Sequence, residues 1–108
     1  MARFEHLKKE ELKKLMDEKK DFILLDVRSY ASFLQKHIKG AKSLPTDGID
    51  KEAKTLDKSK LVVVYCGGYT CPLSGFAAEK LSAMGFKVKA YEGGIAEWSE
   101  AGLPVESG

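Results

Sequence analysis

Cysteine is scarce in this chain, which has two, Cys66 and Cys71, five positions apart. Two sulfurs make no disulfide framework, so the core must hold the fold, and a reducing compartment suits a reactive free thiol. An excess of either charge is missing as well. Eighteen Lys and Arg against sixteen Asp and Glu leave +2, and a pI near 8.5 is too balanced for nucleic-acid or polybasic membrane binding as a main role. Long apolar runs are absent: none approaches the roughly 20 residues of a membrane span, and MARFEHLKKEELKK has no apolar segment of signal-peptide type. These features lead us to expect a cytoplasmic protein. His6, His37, Cys66 and Cys71 could be imagined around zinc, but no pair has CxxC or HExxH spacing, so no metal or cofactor is implied. Repeats, linkers and low-complexity stretches are likewise missing.

At 108 residues and 44% hydrophobic, the chain is long enough for one domain, residues 1–108, around one core. That core is organised around Leu61 to Gly75, LVVVYCGGYTCPLSG. Three consecutive valines running into Tyr65 and Cys66 read as a buried parallel strand. Gly67-Gly68 reads as a tight loop, and Cys71-Pro72 opens a helix extending to about Met84. At the strand's end, the Cys66 sulfur is expected to face loop N–H groups and the positive end of the helix, which favour a nucleophilic thiolate.

The other segments fit around this one. Arg3 to His6 reads as an edge strand, and about Lys8 to Lys19 as a helix with Leu12, Leu15 and Met16 on one face. Phe22 to Leu25 is a second buried strand ending in Asp26-Val27-Arg28, and Ser29 caps a short helix to Gln35. His37 to Ala41 turns the chain, Lys42 to Leu44 is a weak strand, and Ile49 to Leu56 holds one or two helical turns. Gly85 stops the helix after the central loop, Lys87 to Tyr91 alternates into a last strand, and Ile95 to Ala101 is a final helix carrying Trp98. Strands alternating with helices imply an α/β fold with a parallel sheet covered on both faces.

LLDVRS at 24–29, HIKGA at 37–41, VVVYC at 62–66, AAEKLSAMGF at 77–86 and YEGGIAEW at 91–98 together resemble the single-domain rhodaneses, a sulfurtransferase family. The resemblance implies a five-stranded, mainly parallel sheet flanked by helices, with the active loop after the fourth strand. It further implies that Cys66 takes a sulfane sulfur from a donor such as thiosulfate or polysulfide and passes it, as a persulfide, to cyanide, a thiol or a protein. Attack of a thiolate on a sulfane sulfur followed by persulfide transfer predicts ping-pong kinetics. The amides of Gly67, Gly68, Tyr69, Thr70 and Cys71 are expected to surround the anionic sulfur, with the two glycines letting the backbone turn sharply.

The loop departs from the family pattern in three ways. No basic residue lies between Cys66 and Lys80, which argues against thiosulfate as natural donor and for polysulfide or a protein persulfide. The loop is about two residues longer than the commonest version, and it holds a second cysteine. Related phosphatases end their loop in an arginine six residues after the cysteine; Pro72 stands there, so a phosphate dianion would lack its bidentate partner. Pro72 at the first helical position would make Cys71 an N-cap. Cys71 is open to three readings: a thiol that resolves Cys66 or takes its sulfur on, a second carrier, or a small loop residue. Asp26 and Arg28, at a strand's C-terminal end, read as an ion pair or as loop-bracing hydrogen bonds rather than as a catalytic carboxylate, unless Arg28 instead faces the active-site mouth as the cation the loop lacks. A non-catalytic sulfur-carrier or redox-sensing module using Cys66 and Cys71 is the competing function. The expected assembly is a monomer or homodimer.

Overall fold

The computed structural model describes residues 4–69 and 71–108. In chain order its strands are β1 (Glu5–Leu7), β2 (Phe22–Asp26), β3 (His37–Ile38), β4 (Lys42–Ser43), β5 (Leu61–Tyr65), β6 (Lys87–Tyr91) and β7 (Val105–Glu106). The α-helices are α1 (Lys9–Asp17), α2 (Tyr30–Gln35), α3 (Ile49–Glu52), α4 (Leu73–Ala83) and α5 (Gly94–Glu100). Five strands form one sheet in the order β1-β6-β5-β2-β4, all pairs parallel, so the α/β reading with a parallel sheet holds. The central strand is the fourth of that sheet in chain order. Its register aligns Asp26, Tyr65 and Tyr91 across the C-terminal edge, the end at which parallel sheets place ligands.

Helices cover both faces because alternate residues of each buried strand point to opposite sides. Val62 and Val64 pack with Ile49, Ala53 and the Ala77, Ala78 and Leu81 face of α4. Val63 and Tyr65 pack on the other side with Leu12 of α1, Phe33 of α2, and Ile95 and Trp98 of α5. Trp98 and Phe86 are both buried.

Local chemistry accounts for most element ends. Ser29 caps α2 by accepting the Ser32 N–H at 3.2 Å. After α4, Gly85 adopts φ +100° and the Phe86 N–H returns to the Leu81 carbonyl at 3.2 Å, a Schellman closure available to glycine. The first strand is an edge strand but sits later than expected, at Glu5–Leu7; Arg3 lies outside the described residues. His37-Ile38, expected as a turn, is instead a short strand pairing antiparallel with Val105-Glu106. Two residues carry no periodicity, and the partner segment lies at the far end of the chain, so pattern alone could not reveal this pairing.

Candidate active site

Alternation along β5 decides where residue 66 faces. Cys66 continues the parity of Val62 and Val64, so its side chain turns toward α4 and joins the cluster containing Ala77 and Ala78. Its exposure is 0%. The sulfur expected to face the loop N–H groups is thus fully covered.

Two contacts close that loop. The Cys71 N–H donates to the Gly68 carbonyl at 3.1 Å, and the Cys66 thiol donates to the Cys71 carbonyl at 3.5 Å. The two thiols also influence each other's ionisation. Burial pushes the Cys66 thiol above its ordinary value and the Cys71 side chain adds to this, while the N–H and hydroxyl of buried Ser74 pull the other way. At Cys71 burial also opposes ionisation, but the Cys66 S–H, the N–H groups of Gly67 and Leu73, and the Arg28 charge outweigh it and hold the thiol below its ordinary value. The two thiols titrate as a pair, in which Cys71 is the less buried member.

The expected cradle of amides is thus divided between two sulfurs. The Gly67 N–H favours charge on Cys71, the Cys71 N–H is spent on the backbone turn, and the N–H that favours charge on Cys66 is that of Ser74 inside α4. Tyr69 is 67% exposed at the loop tip, while Thr70 lies outside the described residues. Helix α4 starts at Leu73, with Pro72 just outside it in a helical conformation, φ −81° and ψ −6°. Pro72 thus takes the N-cap position itself, without a side-chain cap hydrogen bond, and Cys71, expected there, precedes it by one residue.

The glycines differ from expectation. A Cβ on Gly67 would meet nothing within 4 Å, one on Gly68 would make ordinary contact at 3.6 Å with Ala96, and neither residue has a positive φ. The indispensable one is Gly94, at φ +63°, where a Cβ would strike the Cys66 carbonyl oxygen and come within 2.8 Å of the Gly67 carbonyl carbon and the Gly68 nitrogen. This close approach lets the Ile95 and Ala96 N–H groups donate to the Cys66 and Gly67 carbonyls, both at 3.0 Å. The start of α5 thereby fixes the strand-to-loop junction. Ser74 and Gly94 are the residues sequence reasoning missed; the GG pair before the last helix was the available signal for Gly94.

Behind the loop, Asp26 is fully buried and pairs with Arg28 through Nε and Nη2, the latter at 2.7 Å. Asp26 also accepts the Tyr65 hydroxyl at 3.0 Å, and that hydroxyl in turn accepts the Ile38 N–H at 3.0 Å. Burial, then the Asp26 charge, push the Tyr65 hydroxyl far upward, so it stays a neutral donor. Arg28 thus forms the expected ion pair with Asp26, and its charge also favours ionisation of Cys71. Glu97 fastens the loop tip by accepting the Tyr69 hydroxyl at 2.9 Å and the Tyr91 hydroxyl at 2.7 Å. His37 is buried away from the sulfurs, stacked on Phe33 at 3.8 Å with Nδ1 on the Phe33 carbonyl. Among the described residues, no three His, Cys, Asp or Glu side chains are grouped to hold a metal ion, and no helix is long and apolar enough to cross a membrane.

A model of the rhodanese-like domain matches residues 8–101. Thiosulfate sulfurtransferase GlpE of Coxiella burnetii is 34% identical over 82 residues, covering 75% of each chain. An HTH-type transcriptional regulator of Mycobacterium tuberculosis is 33% identical over 79% of this chain but only 38% of its own length. The chain thus spans less than half the length of that regulator, and 46% of an uncharacterized Synechocystis protein it also matches. Among solved structures, a Bacillus halodurans protein superimposes with a TM-score of 0.91 at 30% identity, covering 95% of this chain and 77% of that one. A thiosulfate sulfurtransferase from Pseudomonas aeruginosa gives 0.84 at 26% identity, over 97% of this chain and 20% of that one.

Proposed function

This chain belongs to the rhodanese-like domain family, and on that premise we propose that it is a sulfurtransferase carrying sulfane sulfur as a persulfide on Cys66. The donor is a polysulfide, thiosulfate or a protein persulfide, and the acceptor a thiol, cyanide or a protein. The cytoplasm suits it, since both thiols must stay reduced between turnovers. One observation carries the reading. Cys66 ends the central parallel strand with its sulfur 3.5 Å from the Cys71 carbonyl, and the N–H groups of Gly67, Leu73 and Ser74 favour negative charge on the two cysteines. Such fixed dipoles stabilise an anionic sulfur without a metal.

The residues divide the work. Ser74 gives Cys66 an N–H and a hydroxyl that favour its thiolate as it attacks the terminal sulfur of the donor. Arg28 supplies positive charge where the loop has none, and Asp26 with Tyr65 keeps it in place. Because Cys66 is covered, a donor reaches it when the Cys71 side chain or the loop tip moves aside, and this favours a small linear donor such as polysulfide.

Sulfur transfer from thiosulfate and from polysulfide, measured on wild type, Cys66→Ser and Cys71→Ser, tests the reading. Loss of transfer in Cys66→Ser is expected with at least one donor; full activity in that variant overturns the assignment of Cys66. The second reading is a sulfur-carrier or redox-sensing module. It is favoured by the complete burial of Cys66 beside a second thiol, and supported by the transcriptional regulator among the relatives. No turnover with any donor, together with stoichiometric sulfur loading, would select it.

A further inference from the structure

The transfer reaction assigned to Cys66 leaves Cys71 without a role, yet the fold places Cys71 as carefully as Cys66. The Gly68–Cys71 turn brings residue 71 back over the end of β5, and the Cys66 thiol is directed at it, 3.5 Å from its carbonyl oxygen. The two thiols influence each other's ionisation, and the backbone N–H groups of Gly67 and Leu73 favour negative charge on Cys71. A residue that merely filled space in the loop would not need these donors. Cys71 is also the more exposed of the pair.

From this arrangement we propose that Cys71 is a second reacting residue: its sulfur attacks the Cys66 persulfide, closing a Cys66–Cys71 disulfide and expelling hydrosulfide. The proposal rests on the Cys66 persulfide of the preceding section. In the loading step Cys71 takes the Cys66 proton as Cys66 attacks the end of a polysulfide, and a chain one sulfur shorter departs. The proton then moves from Cys71 to the terminal persulfide sulfur, and the Cys71 thiolate attacks the Cys66 Sγ. The Cys66 Sγ–S bond breaks and HS⁻ leaves with that proton. Two cysteine sulfurs are oxidised to a disulfide while one sulfane sulfur is reduced to sulfide, so no outside oxidant is needed. A dithiol reductant then returns the pair to its starting state. The lowered thiol of Cys71 suits it to both steps, since a thiolate is the attacking species. The product class is thus free sulfide whenever no acceptor takes the persulfide first.

The test treats the full chain with sodium tetrasulfide under anaerobic conditions, removes excess donor, and follows intact mass and released sulfide against a protein-free blank. Wild type should end about 2 Da light with about one sulfide released per chain, while Cys71→Ser should hold a persulfide about 32 Da heavy and release none. Wild type that keeps the added sulfur as long as Cys71→Ser overturns the proposal and leaves Cys66 as carrier. Cys66→Ser that loads sulfur at the wild-type rate overturns both the proposal and the carrier assignment. Circular dichroism of the three proteins should superimpose, confirming that the differences arise from the sulfurs.

Discussion

Gly94 stands against the carbonyl oxygen of Cys66, in a left-handed conformation at φ +63°, so closely that no side chain fits between them. Through this contact the start of α5 receives the carbonyls of Cys66 and Gly67. Gly94→Ala should cost about 2 kcal/mol from backbone strain, before any displacement of the loop is counted. It should also lower sulfur transfer, because the Cys66 backbone must shift to admit the methyl. Urea denaturation alongside a transfer assay checks both; a stable, fully active Gly94→Ala would show that the junction tolerates movement.

Asp26 is buried with its carboxylate shared among Arg28, the Arg28 backbone N–H and Tyr65. Removing one partner of a buried pair leaves the other uncompensated, so Asp26→Ala should destabilise by about 3 kcal/mol. Tyr65→Phe removes a neutral hydroxyl and leaves the Ile38 N–H unsatisfied, at a cost of about 1 to 2 kcal/mol. Denaturant midpoints rank the two, with Asp26→Ala the lower.

Ser74 offers Cys66 both an N–H and a hydroxyl, and Ser74→Ala removes only the hydroxyl. One lost hydrogen bond of about 1 kcal/mol corresponds to about a fivefold slower attack on the donor. Raising the pH should recover part of the rate, because the loss acts through the thiolate fraction. Persulfide formation followed by mass at several pH values reads this; an unchanged pH profile would place the Ser74 hydroxyl outside the reaction.

Cys71 carries a thiol held below its ordinary value, so its alkylation by iodoacetamide should reach full rate at a pH lower than the roughly 8.5 of a free cysteine. In Cys66→Ala the S–H donor is gone and the midpoint should move up. The corresponding stability runs the same way: a lowered folded value gives a contribution that is full above the unfolded value and is lost as pH falls through the folded one. Cys66, pushed upward by burial, contributes with the opposite sign, so the midpoint of Cys71 alkylation is the cleaner readout.

Local signals in the sequence decided much of this protein. The valine run from 62 to 64, the Ser29 cap and the Gly85 stop each act within a few residues, and they placed the buried strand and two helix ends near where the structure has them. Five short motifs in order were enough to point to the family. What depended on partners far along the chain stayed hidden. The β3–β7 pairing, the approach of Gly94 to Cys66 and the division of loop amides between two sulfurs all require segments distant in sequence to meet. The chain specified a cysteine at a strand's end; only the packed fold buried it and set Ser74 and Cys71 beside it. Burial penalises a charged sulfur and donated N–H groups favour one, and the balance at each position depends on the completed three-dimensional arrangement.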